Sequence, residues 1–182
     1  MAQFSLASLT NAGAALQQKL EVSGDPLELT RVGAGNGQWS ASDDLAEATA
    51  LRNQKQTFTI SSIDVDEFDQ TQVKAVATNL NLASAYYMTE IGIYANDPDE
   101  GEILYSISVI YNESEADYLP AYNGSTMISV TLISYFNLSP TINVTIQSQT
   151  GYASAHDFTE LMDNIIEMSA ATVESICEEE EA

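Results

Sequence analysis

Few side chains in this sequence have the chemistry of a catalytic or zinc site. His156 and Cys177 are its only histidine and its only cysteine. A serine–histidine–aspartate triad would have to use His156, but this residue directly precedes Asp157, which is placed to cap a helix. An exposed histidine beside the cap is therefore the favoured interpretation. Cys177 is followed by four glutamates, whose charges disfavour the reactive thiolate, and one histidine with one cysteine is too few for zinc.

Two acidic segments, Asp64–Asp69 and Asp97–Glu102, could offer oxygen ligands to a calcium ion. Neither fits an EF-hand loop, because placing Gly101 at the glycine position puts Asn96 and Pro98 at the first and third ligand positions. Solvated turns are the favoured interpretation, with weak cation binding as the alternative. A carboxylate pair for glycoside hydrolysis is possible in a chain with 27 acidic residues, but sequence spacing does not reveal one.

The glycine-rich segment Gly33–Gly37 lacks the features of a phosphate-binding loop. No Gly-Lys-Ser/Thr sequence ends it, and Trp39 follows where a helix should begin. The segment instead predicts a turn with positive φ angles. The sequence therefore predicts no catalytic residue, no cofactor and no metal site, and it does not predict an enzyme.

The charge balance excludes whole classes of partner. The chain has 27 acidic and 5 basic residues, which gives a formal net charge of −22, so nucleic acids and anionic membranes would repel it. From Ala75 onward there are 17 acidic residues and no lysine or arginine, so this half needs solvent cations, a basic partner or dilution of its charge over a large surface. All basic residues lie earlier in the chain: Lys19, Arg31, Arg52, Lys55 and Lys74.

No secretory signal or membrane span is predicted, because there is no early positive charge with an apolar core and no run of 18 apolar residues. We expect synthesis in the cytoplasm of the producing cell. The single cysteine also excludes an internal disulfide framework.

The hydrophobic periodicity predicts helices only at the start of the main domain. Residues 8–20 have apolar positions at spacings of three and four, with Ser8 or Thr10 as cap and a break at Gly24–Pro26. Asp43 or Asp44 could cap a second short helix that runs to Leu51.

The following residues alternate with a period of two, which predicts strands joined by short loops. Phe58 and Ile60 change phase relative to Ile63 and Val65, which predicts a bulge at Ser61–Ser62. Tyr87, Ile91 and Ile93 are predicted to share one strand face, and 97–101 has the composition of a hairpin connection. The predicted strands cover Leu27–Val32, Phe58–Val65, Val73–Leu80, Tyr86–Tyr94, Ile103–Tyr111, Thr126–Phe136 and Thr141–Ile146.

The predicted fold class is therefore α+β. An N-terminal helix precedes a mainly antiparallel, β-sandwich-like domain that spans residues 1–150. The clearest strand is the one in which Ile103, Tyr105, Ile107, Val109 and Tyr111 alternate with smaller or polar residues.

Residues 151–182 are predicted to form a C-terminal oligomerisation helix with an acidic end. Asp157 and Glu160 have the spacing of a capping box. Two apolar seams in heptad register follow, as in a parallel trimeric coiled coil, although an amphipathic helix that packs on its own sheet is the alternative. The seams comprise Phe158, Leu161, Ile165, Met168 and Thr172, and Met162, Ile166, Ser169, Val173 and Ile176.

Several stretches, in their order and spacing, resemble the N-terminal domain of phage tail-collar and tail-fibre proteins. The Tyr86–Ala95 stretch, with the sequence Tyr-Tyr-Met-Thr-Glu-Ile-Gly-Ile-Tyr-Ala, is the most telling and is followed by the Asp97–Tyr105 hairpin. The resemblance spans about residues 8–146. The other matching stretches are Leu9–Gly13, Leu29–Gly37, Leu51–Gln56 and Asp117–Tyr122.

The resemblance implies a virion structural protein that forms trimers, attaches to the baseplate or tail tip and extends a shaft toward the host surface. It carries no catalytic residues. Arg31, Arg52 and Lys55 fall inside matched stretches, and we expect them to anchor carboxylate contacts within or between subunits, with solvated positions as the alternative. Tyr86, Tyr87 and Tyr94 would serve more readily as core or interface aromatics than as ligand platforms.

The chain has a single helix after the matched region and no shaft repeats, so about 25 helical residues would reach roughly 37 Å. The sequence thus favours a short tail fibre or an adaptor that carries a separate distal fibre protein, with the proximal part of a longer fibre as the alternative. Nine tyrosines, one tryptophan and the acidic loops leave a second hypothesis, a carbohydrate-binding β-module or adhesin for host glycans. A polysaccharide hydrolase is a third, and it depends on carboxylate abundance alone.

Overall fold

The computed structural model describes residues 4, 6–65, 70–139 and 141–147. Contacts within the chain group residues 1–148 into one compact unit. His156, Cys177, the capping box, both heptad seams and most of the 64–69 acidic segment lie outside the described residues. The domain boundary at residue 150 and the C-terminal helix therefore stay predictions.

Helix α1 spans Asn11–Ser23 and is fixed at both ends by local chemistry. Thr10 is the N-cap, and its hydroxyl accepts a hydrogen bond from the Gly13 N–H at 2.9 Å. Gly24 ends the helix in the left-handed conformation, with φ of 78°. The predicted start at residue 8 is wrong, because residues 8 and 9 have extended backbone and pair with a strand.

The described residues contain eleven strands and two single-turn 3₁₀ helices, Leu45–Glu47 and Glu113–Glu115. In chain order the strands are β1 (Ser8–Leu9), β2 (Leu27–Gly35), β3 (Gln54–Phe58), β4 (Ile60–Val65), β5 (Thr71–Thr78), β6 (Tyr86–Met88), β7 (Glu90–Asp97), β8 (Gly101–Val109), β9 (Asp117–Leu119), β10 (Ser129–Phe136) and β11 (Val144–Ile146).

These strands form three sheets. The largest has the order β1-β8-β7-β2-β11, with β3 also paired to β2; the second has the order β10-β5-β4, and the third pairs β6 with β9. All pairings are antiparallel except that of β11 with β2. Together with the single α-helix of the described ranges, this confirms the α+β class and the mainly antiparallel arrangement.

The large sheet is covered on both faces. The main core lies on one face, where Leu16 and Leu20 of α1 and residues of β5 and β10 pack with Ile91, Ile93 and other buried side chains. On the other face, the chain segment between β2 and β3 contributes a smaller apolar cluster. Its members are Trp39, Leu45, Ala48, Leu51, Tyr94, Leu104, Ile107 and Val109. This two-sided cover explains why seven of the eight residues of β7 and the last six of β8 are buried.

Strand β8 does not alternate as predicted. Its register against β7 shifts where Ile93 and Tyr94 oppose Ser106 and Leu104, so Tyr105 is skipped. Tyr105 packs in the main core, but Ile107 belongs to the cluster on the other face. After this irregularity, the odd-numbered side chains of β8 point to the opposite face of the sheet. A regular period of two in the sequence does not predict such a change.

Three other expectations are corrected. The second helix, predicted from Asp43 or Asp44 to Leu51, is only the 3₁₀ turn, capped by Asp44. Gly33 and Gly35 lie inside β2, and the glycines with positive φ in the described part of the chain are others. The stretch predicted as one strand over 86–94 is two strands in different sheets, so Tyr87 does not share a face with Ile91 and Ile93.

Two turn predictions are confirmed. Asp97 pairs with Gly101 across the β7–β8 connection, and Gly101 has a φ of 82°, which favours glycine. The phase change at Ser61–Ser62 is a register shift between Ile60 and Ser62 in the β4–β5 pairing.

Candidate functional site

Glu90, the first residue of β7, is a fully buried carboxylate that four N–H groups satisfy. Its Oε1 accepts from the backbone N–H groups of Gly37 at 3.0 Å and Asn53 at 2.8 Å. Its Oε2 accepts from the Trp39 indole at 2.7 Å and from the Arg52 backbone at 3.0 Å. Among the described residues, no lysine or arginine side chain forms an ion pair with it. Oriented N–H dipoles therefore stabilise the carboxylate there.

The glycines around Glu90 are required for close approach. A Cβ atom on Gly35 would lie 2.5 Å from Glu90 Oε1, and one on Gly37 would lie 2.6 Å from both carboxylate oxygens. The predicted reason for this glycine-rich segment, positive φ, is therefore wrong for these two residues. Their missing side chains make room for the carboxylate, and also for the Asn53 carbonyl beside Gly35 and for Arg52 Cβ beside Gly37.

Arg52 extends the Glu90 site toward the surface. Its guanidinium lies 3.9 Å from the centre of the Trp39 ring, and Nη1 donates to Gln38 O at 2.6 Å and to Asp43 Oδ2 at 2.9 Å. The hydrogen bond from Arg52 holds the pKa of Asp43 below its ordinary value. Arg52 thus holds Gln38, Trp39 and Asp43 of the 36–53 segment together through these contacts.

Asp97, the last residue of β7, is also buried but has a cationic partner. Lys19 of α1 donates to Asp97 at 2.9 Å and contacts the exposed Asp99 at 3.0 Å. Burial alone would raise the pKa of Asp97, but the Lys19 hydrogen bond and the N–H groups of Asp99 and Glu100 outweigh it, so the pKa is lowered. This interaction fastens α1 to the hairpin.

Arg31 lies beside the same hairpin. Its guanidinium is 3.5 Å from the centre of the Tyr94 ring, and it binds Glu102 through two nitrogens, with the shortest distance 2.7 Å. Burial raises the pKa of Glu102, but the hydrogen bonds from Arg31 and Thr30 outweigh this and lower it. Burial is also the main cause that raises the pKa of Tyr94.

The remaining predicted residues are less engaged. Lys55 is exposed on β3, and Lys74 pairs with Asp64 at 2.9 Å. The two acidic segments thus supply carboxylates to three lysine and arginine side chains, and no group of three metal-ligating residues occurs in the described ranges. Within those ranges, no helix is both long and apolar enough to span a membrane.

The three tyrosines of the Tyr86–Ala95 stretch have different environments. Tyr86 and Tyr94 are buried and donate to Gln56 and Gln54, respectively. Tyr87 is exposed and lies against Tyr118 of β9, with ring centres 5.0 Å apart. Two of the three are therefore core residues, and the third belongs to a surface pair.

Glu90 brings distant parts of the sequence together. Gly35 and Gly37 come from the Leu29–Gly37 stretch, Arg52 and Asn53 from Leu51–Gln56, and Glu90 from Tyr86–Ala95. The Leu9–Gly13 stretch docks separately, because Thr10 donates to Leu104 O at 2.5 Å.

A comparison with known protein families matches residues 1–147 to the family described as "Phage tail-collar fibre protein, N-terminal". The chain belongs to this family. Membership implies a structural role in a phage tail fibre, location in the tail of the virion and association with the phage tail or baseplate. The family is structural and not enzymatic. No curated protein and no solved structure matches the chain.

The sequence did not single out Glu90 or Trp39. One signal was present, because Glu90 is the only charged residue between Lys74 and Asp97, within an apolar strand. A lone acid in such a run must be paired or hydrogen-bonded if it is buried. Its donors, however, lie 37 to 53 residues away along the chain, and only the fold shows them.

Proposed function

We propose that this protein is a short tail fibre, or an adaptor, that anchors the host-adsorption apparatus to the baseplate or tail tip. The family match over residues 1–147 supports this role. The network around Glu90 supports it as well, since an attachment domain must transmit load without local unfolding and the network ties the 36–53 segment to the sheet. Synthesis in the host cytoplasm precedes assembly into the virion.

The second part of the proposal is a homotrimer held by the C-terminal heptad seams, which can receive a separate distal fibre protein. Replacing Leu161 and Ile165 by asparagine should convert the trimer to monomers, because it places polar amides at two consecutive apolar positions of the first seam. Ala170→Asn, which lies off both seams, is the control. Native mass measurement of a stable wild-type monomer would contradict the trimer.

Charge sets the conditions for this assembly. Three copies at −22 give a formal charge of −66, so repulsion must be screened. We expect the trimer to become more stable with added salt or divalent cations. Sedimentation equilibrium at increasing salt measures this, and a trimer that dissociates as salt rises would contradict it.

Attachment is tested on the particle. Antibody against residues 1–147 should label the tail tip or baseplate of intact virions. Label restricted to the capsid, or to the far end of a fibre, would contradict the anchoring role.

The exposed Tyr87–Tyr118 pair, whose rings are tilted by 52°, favours a second candidate, a module that binds host glycans, because exposed aromatic faces can contact sugar rings. A glycan array with and without calcium tests it. Tyr118→Ala should abolish any signal, whereas Tyr111→Ala, an exposed tyrosine outside the pair, should not. An array that is silent in both conditions removes this candidate.

A further inference from the structure

A long segment of this acidic protein has no charged side chain other than its single histidine. Residues 118–156 include no aspartate, glutamate, lysine or arginine, although the whole chain has a net charge of −22. The described part of this segment contains β10, β11 and several exposed apolar residues. These are Tyr118, Met127, Ile128, Ile133 and Ile146.

Among the described residues, β10 is an end strand of its sheet, and none of them pairs with its outer edge. It pairs with β5 over all eight of its residues, without a register shift, and the sheet order ends with it. An uncharged, regular edge strand is a template for pairing with another strand.

The direction of its backbone groups follows from one hydrogen bond. The N–H of Asn79, after β5, donates to the carbonyl of Ile128, before β10, at 3.1 Å. Backbone groups alternate sides along an antiparallel strand, so residues 130, 132, 134 and 136 face β5. The N–H and C=O groups of residues 129, 131, 133 and 135 therefore point to the open edge.

The opposite edge of the same sheet is different. Strand β4 has a register shift between Ile60 and Ser62, and it carries Asp64. The acidic residues Asp66–Asp69 follow it in sequence. A bulge and like charges are features that keep edge strands apart, and β10 has neither.

We propose that the open edge of β10 pairs with a strand from a second copy of this chain. A basic partner would be drawn to the acidic surfaces, and the charge-free edge offers it no ion pair. Two copies at −22 repel each other, and they can approach most closely where neither presents a carboxylate. The edge therefore fits a like-charged copy, and this inference does not depend on the heptad seams.

Thr131→Pro in the full-length chain tests the proposal. It removes an N–H that points to the open edge and leaves the hydrogen bonds to β5 in place. Thr131→Ala keeps the N–H and is the matched control. Self-association, measured by sedimentation equilibrium, should weaken about 10- to 100-fold in the proline variant and stay near wild type in the alanine variant.

Residue-resolved hydrogen exchange provides a second measurement. It reports on the β10 edge itself, so it remains informative even if the heptad seams keep the copies associated. In the assembled wild type, the amides of residues 129, 131, 133 and 135 should be as protected as those of residues 130, 132, 134 and 136. In the proline variant, the amides of 129, 133 and 135 should exchange fast while the even-numbered ones stay slow.

The outcomes separate this inference from the proposed trimer. A trimer with fast exchange at the odd-numbered amides overturns the β10 pairing and leaves the trimer intact. A wild-type monomer overturns both. A folded proline variant that associates like wild type, with its remaining odd-numbered amides protected, also overturns the β10 pairing.

Discussion

The two ends of β7 bury a carboxylate each, and they stabilise it in different ways. Glu90 at the start is bound by three backbone N–H groups and one indole, with no cation. Asp97 at the end is bound by the Lys19 ammonium and by two backbone N–H groups of its own hairpin. The first arrangement joins three separated chain segments, whereas the second joins one helix to one turn.

The two ends of β7 should therefore differ in how much each carboxylate contributes to stability. Dipoles fixed by the backbone cannot rearrange when their acceptor is lost, so buried N–H groups would be left without partners. A lysine on the surface of a helix can turn to water instead. We therefore expect the Glu90 end to be far more sensitive to substitution than the Asp97 end.

The largest expected effect is that of Glu90→Gln, which keeps the shape of the side chain. The amide NH₂ would face two N–H donors, so we expect unfolding free energy to fall by about 4 kcal/mol. Urea denaturation measures the loss. Glu100→Gln, at an exposed position, should change stability by less than about 0.5 kcal/mol. Equal losses of stability in the two variants would contradict a special role of the buried Glu90 carboxylate.

Gly37→Ala should be the next largest, because its Cβ would lie 2.6 Å from both Glu90 oxygens. We expect a loss of about 3 kcal/mol from overpacking at the buried carboxylate. Gly124→Ala is the control, since a Cβ there meets nothing within 4 Å and only its φ of 84° is unfavourable. That change should cost about 1 kcal/mol. Urea denaturation measures both losses, and a smaller loss at Gly37 than at Gly124 would contradict the close-approach argument.

Asp97→Asn probes the other end of β7 through pH. The pKa of Asp97 is lowered from 3.8, so its contribution is complete above that pH and is lost as pH falls through the folded-state pKa. Near pH 7 the asparagine variant should be about 1 to 2 kcal/mol less stable. Unfolding measured from pH 7 down to pH 2 should show this gap closing. A gap that does not narrow as the pH falls below 3.8 would contradict the assigned cause.

Arg31→Lys should have the smallest effect. Lysine keeps the charge near Glu102 but loses the paired nitrogens and the stacking on Tyr94, and both partners are partly exposed. We expect a loss of about 0.5 kcal/mol. Chemical denaturation of Lys55→Arg, which alters an exposed residue, gives the reference. A loss of stability at Arg31 as large as that at Glu90 would contradict the expectation that the Glu90 end of β7 is the more sensitive one.

Local signals in the sequence predicted several elements correctly. Thr10 at a cap, Gly24 after a helix, the 97–101 turn and the slip at Ser61–Ser62 each depend on chemistry between residues close in the chain. The α+β class followed from the same local periodicities.

Predictions failed where a distant contact decides the conformation. The glycines at 35 and 37 were assigned to a turn because the sequence does not show Glu90 beside them. The sequence predicts a helix from Asp43 or Asp44 to Leu51, but Leu45 and Leu51 pack on the second face of the large sheet and only one 3₁₀ turn forms. The division of 86–94 into two sheets occurs at Thr89, whose N–H donates to Gly35 O.

By itself, the sequence determined the charge of the protein, its strand-rich class, its family resemblance and the uncharged segment 118–156, because these depend on composition, local order and short-range periodicity. Tertiary structure decided that Glu90 is buried, which donors it receives and which edge of β10 is open. These properties depend on residues that are far apart in the chain and meet only when the sheets form. A buried charge is stable only when such distant partners are in place.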